Sequence, residues 1–165
     1  MRLARNICLA IAAIAVVPGL LAAAGNSSQP FTITISAPQA TIKVGDPVRI
    51  HVVFTNVSNQ ESNLQTMFGA ECDYIIHIQD KNGLHTHEPD CSGSSVSTHR
   101  KPGMKLEYDA DLSKILQYDS KVGDMVKTFD FTWPGEYVIQ LSRHISDDPE
   151  KEVVKSNKLT ITVTE

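Results

Sequence analysis

The sequence predicts an all-β protein, an antiparallel β-sandwich of about seven strands joined by Greek-key connections. Two observations carry that expectation. Between residues 31 and 163 the apolar residues recur with a period of two in five short runs, each suited to a strand with one buried face. Clusters of Gly, Pro, Asn and Asp separate those runs, where tight turns need them.

The first residues address the chain. Arg2 and Arg5 make a basic start, Ile7 to Val17 is apolar and uncharged, Pro18-Gly19 breaks any helix, and Ala22-Ala23-Ala24 offers a cleavage site. The uncharged stretch from Ile7 to Ala24 is shorter than the roughly 20 residues of a spanning helix. Residues 1–24 therefore read as a signal peptide and residues 25–165 as one domain. The product is expected to be exported, periplasmic or secreted, and to meet the membrane only through its leader before cleavage.

The strands follow in order. Phe31, Ile33 and Ile35 alternate with threonines and a serine, and a short strand over Thr41–Val44 ends at Gly45-Asp46-Pro47. Val48, Ile50, Val52 and Phe54 form the next apolar face, closed by Asn56-Val57-Ser58-Asn59. Residues 59–71 read as a loop. Tyr74, Ile76 and Ile78 begin a hairpin that turns at Asp80-Lys81-Asn82-Gly83, where Asn and Gly accept a positive φ. Residues 92–98 are serine-rich and read as a second loop. Leu112, Ile115 and Leu116 fit one helical turn with Asp111 as its cap. Pro134-Gly135 opens a strand carrying Tyr137, Ile139 and Leu141; Asp147-Asp148-Pro149 turns toward the last one, with Leu159, Ile161 and Val163.

Two motifs extend this pattern into a resemblance. Gly-x-Tyr at 135–137, entering a late strand, resembles the tyrosine corner of immunoglobulin-like domains. Gly45-Asp46-Pro47-Val48 with Phe54-Thr55-Asn56-Val57-Ser58, and Lys155 to Val163, resemble the opening and closing strands of small exported bacterial immunoglobulin-like domains. The resemblance spans 31–165 and implies an immunoglobulin-like antiparallel β-sandwich. More distantly the chain resembles the intracellular proteinase inhibitor family, which implies a sandwich of similar size. Ile139 stands where antibody domains carry their second cysteine, so any disulfide must lie elsewhere.

The chain carries 15 basic and 19 acidic residues, a net charge of −4, and the leader removes two of the basic ones. That balance excludes nucleic acid as a partner, since phosphate neutralisation needs clustered Lys and Arg. Of three cysteines Cys8 lies in the leader, leaving Cys72 and Cys91 as a disulfide pair in an oxidising compartment. Three hairpin registers are open at residues 80–83. A four-residue turn places Cys72 opposite Cys91. A three-residue turn instead places His87 opposite His77.

That second register raises a metal hypothesis. His85 and His87 share a strand face, His77 would join them, and His99 would supply a fourth imidazole for Zn or Cu. Other chemistry fails to assemble. Asp109-x-Asp111-x-Ser113 starts like a calcium loop, but Lys114 replaces its glycine and Ser120 its bidentate glutamate. Gly93-Ser94-Ser95-Val96-Ser97 lacks the closing glycine of a nucleophile elbow. Trp133 and Tyr137 read as core and corner residues.

No cofactor and no catalysis are expected. The leading function is a non-catalytic module that binds an envelope component or another protein. Leu64, Met67 and Phe68, apolar residues in the 59–71 loop, either fold back to cap the core or, if exposed, form the candidate partner anchor. The alternatives are a periplasmic Zn or Cu protein and a proteinase inhibitor.

Overall fold

The computed structural model describes residues 29–67, 70–89, 91, 95–145 and 153–165. The leader and the 147–149 turn lie outside them. The described elements begin with β1 (Phe31–Ser36), β2 (Thr41–Lys43), β3 (Arg49–Asn56), β4 (Ser62–Thr66), α1 (Ala70–Asp73), β5 (Ile75–Asp80) and β6 (Gly83–His87). They continue with β7 (Val96–Arg100), β8 (Lys105–Asp111), the 3-10 turn Leu112–Lys114 and β9 (Leu116–Asp119). The last are β10 (Asp124–Lys127), β11 (Gly135–His144), β12 (Val153–Lys155) and β13 (Leu159–Thr164).

The period-two runs pair into two facing sheets, giving the all-β sandwich. One sheet has the order β1-β3-β8, antiparallel throughout, with Ile33 opposite Phe54 and Val52 opposite Tyr108. The other runs β2-β13-β11-β5-β6, with β12 also on β11. Phe31, Ile33, Ile35, Ile50, Val52 and Phe54 from the first sheet are buried against Ile76, Ile78, Tyr137, Ile139, Leu141, Ile161 and Val163 from the second. Each alternating apolar face is thus a core face.

One pairing in the second sheet is parallel. Thr41, Ile42 and Lys43 lie beside Thr162, Val163 and Thr164, reinforced by Val44 N–H to Thr164 O at 2.8 Å and Thr162 N–H to Ala40 O at 2.8 Å.

β12 and β13 both lie on β11, but the register slips by one residue between them, a bulge at residues 156–158. Ser156 Oγ accepts the Leu141 N–H there at 2.9 Å. Asn157 turns its amide onto the opposite sheet, accepting from Ile35 N and donating to Ile35 O at 2.8 and 2.9 Å.

Tyr137 Oη donates to Trp133 O at 2.9 Å, four residues upstream. The 3-10 turn is capped as expected, Asp111 accepting the Ser113 N–H at 3.2 Å, but it ends at Lys114: Ile115 is extended, and Leu116, expected on the helical face, opens β9 instead. Three expectations need correction. The 59–71 and 92–98 loops contribute β4 and β7, which pair with Leu64 opposite Thr98. The polar alternation of Ser-Asn-Leu-Gln-Thr hides that strand, since one leucine alone marks its inner face. Trp133 is 58% exposed rather than core. With its carbonyl turned inward to the Tyr137 hydroxyl, its indole lies at the surface. Among the described residues no helix is long and apolar enough to cross a membrane.

Candidate functional site

Cys72 and Cys91 are bonded, their Cα atoms 5.4 Å apart. The hairpin takes the register that opposes them: Asp80 pairs with Gly83, Ile78 with His85, His77 with Thr86 and Ile76 with His87. Asp80 Oδ1 sets the turn by accepting from Asn82 N and Gly83 N at 2.7 and 3.1 Å. Gly83 sits at φ +132°, where a side chain would be strained.

That register separates the histidines. Cross-strand partners share a face, so His85 and His87 lie with the core-facing Ile78 and Ile76, whereas His77 lies with Thr86 on the other face. His87 is buried edge-on to Phe129 at 6.3 Å. The exposed His85 stands 3.3 Å from Asp80 Oδ1, and His99, on β7 opposite Asn63, stands 3.3 Å from Glu61. The expected Zn or Cu face therefore does not come together. Among the described residues no three His, Cys, Asp or Glu side chains are disposed to hold a metal ion.

His77 meets other partners. Its Nε2 lies 2.9 Å from Ser142 Oγ and its Nδ1 3.2 Å from Thr86 Oγ1. Those are the distances of an oriented base beside a nucleophile. Ser142, however, is only 2% exposed, so its hydroxyl is closed to a substrate. The pair is a polar latch between β5 and β11.

Burial, with Lys155 second, lowers the His77 pKa below the ordinary imidazole value, and Glu88 opposes them. The sign follows. A depressed pKa means the fold favours neutral imidazole, so this stabilisation is complete above about pH 6.5 and is lost as pH falls through the lower folded value. The melting temperature of the wild type should drop more between pH 7.5 and 5.5 than that of His77→Gln. Equal drops would show that His77 is not the group responsible.

The predicted partner anchor is redistributed. Leu64 is 3% exposed, a core residue of β4, so it takes the core-capping outcome and is not a partner anchor. Met67 is half-buried, its N–H donated to Asp73 Oδ1 at 2.8 Å. Phe68 lies outside the described residues. Met67, Cys72 and Asp73 instead line a cleft of about 380 Å³ that reaches Arg143.

Arg143 is the residue that the sequence reading missed. It is 5% exposed and stacks 5.3 Å from the Phe54 ring and 5.5 Å from the Tyr74 ring. Its Nη2 donates to Gln65 O and lies 3.4 Å from Asp73 Oδ1. Asp73 Oδ2 accepts from Thr66 Oγ1 at 2.7 Å. One ion pair thus fastens β4 and α1 to the sandwich beside the disulfide. The signal was the phase of Arg143, in step with the inward Tyr137, Ile139 and Leu141.

Exposed apolar surface gathers elsewhere. β9 and β10 form a separate two-stranded ribbon with Tyr118 opposite Met125 and Leu116 opposite Lys127. Leu116, Tyr118 and Met125 share one face and all are exposed, as is Val122 in the turn.

No family model matches the chain, and no curated protein matches it. Among solved structures it resembles part of a β-glucosidase from Erythrobacter marinus, with TM-score 0.41 and 16% identity over 81% of this chain and 15% of that one. It also resembles part of a β-glucosidase from Listeria innocua, with TM-score 0.43 and 12% identity over 86% of this chain and 17% of that one. The sporulation control protein Spo0M from Bacillus subtilis aligns with TM-score 0.44 and 9% identity over 82% of this chain and 50% of that one. The chain spans less than a fifth of either glucosidase.

Proposed function

We propose that the chain is an exported, non-catalytic binding module that engages a protein or envelope component through the β9–β10 ribbon. The observation that carries this reading is the shared face of Leu116, Tyr118 and Met125, exposed on a ribbon outside both sheets of the sandwich. Clustered exposed aromatic and aliphatic side chains are the usual anchors of interfaces. The disulfide supports an oxidising compartment. Closure of the Ser142 hydroxyl supports a role without catalysis at the His77 latch.

A photo-crosslinker placed at Tyr118 or Met125 tests the interface in envelope preparations. Discrete adducts are expected at both positions and none at the exposed Thr160, on the sandwich body. Tyr118→Ser with Met125→Ser should abolish adducts from a crosslinker at Leu116 while shifting stability by no more than about 0.5 kcal/mol each. Equal adducts at Thr160, or none at the ribbon, would overturn the reading.

A further inference from the structure

The segment joining β10 to β11 crosses one end of the sandwich beside the β5–β6 turn. Between them lies a cleft of about 230 Å³ lined by Ile78, Asp80, Phe129, Asp130, Trp133 and Tyr137. Its aromatic wall is continuous: Phe129 and Phe131 centroids are 6.4 Å apart, and Phe131 and Tyr137 5.0 Å. Trp133 stands exposed at the rim, and Lys81 Nζ hangs 5.5 Å from its ring centroid.

Two carboxylates are fixed in this cleft. Asp80 has a side chain only 11% exposed, pinned by the turn amides. Burial works to raise its pKa, but the Asn82 amide and His85 hold it below the usual carboxylate range. Asp130 Oδ1 accepts from Thr132 N and Oγ1 at 2.9 and 2.6 Å. Those bonds, with the Trp133 indole facing it, keep Asp130 ionised in the same way.

We infer that this cleft is a subsite for an organic cation, the guanidinium or ammonium of an arginine or lysine in an extended partner segment. The cation would sit over the Trp133 ring at the mouth of the cleft that Asp80 and Asp130 line. The ring supplies cation–π attraction and the two carboxylates supply fixed negative charge. Lys81, already over the ring, is the resident cation that a ligand displaces. The chain's net charge of −4 favours the approach of a basic segment.

Trp133 is the only tryptophan in the chain, so its fluorescence reports on the site alone. The probe is the blocked peptide acetyl-Gly-Ala-Arg-Ala-Gly-amide, titrated against its citrulline counterpart, which keeps the shape and loses the charge. Saturable quenching is expected for the arginine peptide only. Asp130→Asn should weaken it roughly fivefold, and Lys81→Ala should tighten it about two- to fivefold by removing the competing ammonium. Lys81 is exposed and in a turn, so that variant keeps the fold. Equal quenching by the citrulline peptide, no quenching at all, or unchanged or weaker binding in Lys81→Ala would overturn the proposal. Tyr118→Ser should leave the titration unchanged, so this subsite and the ribbon interface stand or fall separately.

Discussion

Arg143→Ala should destabilise the protein by about 3–5 kcal/mol, the largest loss expected from any single substitution outside the apolar core. The magnitude comes less from the bond lost than from the partner left behind. Asp73, with a side chain 3% exposed, would be left buried against Thr66 Oγ1 and the Met67 N–H without its guanidinium. The Phe54 and Tyr74 rings would also lose the flat cation that lies over them. Chemical denaturation with a two-state fit measures the loss. Arg143→Met, which keeps an unbranched apolar stem, should fail almost as badly because the carboxylate is still unpaired. Pairing Arg143→Met with Asp73→Asn should recover a substantial part, since the amide still accepts the Met67 N–H and carries no charge. A double variant that loses the sum of the two single effects would show that the ion pair is not the unit at stake.

The second large effect belongs to the Cys72–Cys91 bond. Replacing both cysteines by alanine should lower stability by about 3 kcal/mol on a chain-entropy account. The two residues are separated by 19 positions, and that span contains the whole β5–β6 hairpin. Without the bond the unfolded chain regains that loop's freedom, while the hydrogen-bonded ladder of the hairpin remains in the native state. Urea titration of the variant should be indifferent to reductant, and the wild type under reductant should fall onto the variant's curve. A change below about 1 kcal/mol would mean that the Arg143–Asp73 pair holds α1 in place unaided.

The strands that pack on the core were legible because burial of one face writes itself as alternation. β1, β3, β5, β11 and β13 each carry three or more period-two apolar residues or two flanked by turn chemistry, and each is where it was expected. The β9–β10 ribbon escaped notice because only Val126 among its apolar residues is partly covered, and a largely wet ribbon has no pattern to read. The register of the β5–β6 hairpin depended on a long-range fact, the cysteine pair, which the turn residues alone could not choose. Choosing it moved His77 to the face away from His85 and His87 and dissolved the histidine cluster. Trp133 shows the limit of a local motif. Trp-Pro-Gly-Glu-Tyr announces the Tyr137 hydroxyl bond, but the bond is to the Trp133 carbonyl and leaves the ring free to face solvent.

The parallel ladder between β2 and β13 has a mechanical meaning. Force entering the chain ahead of β2 and leaving it after β13 would pull the two strands in opposite directions along their shared axis. Their hydrogen bonds, from Ala40 O to Thr162 N through Val44 N to Thr164 O, would then be strained together in shear, not opened one at a time as at the end of a hairpin. A tether or an envelope attachment at these two points would load the strongest direction of the sheet. The domain would bear tension as a clasp does, yielding late and all at once.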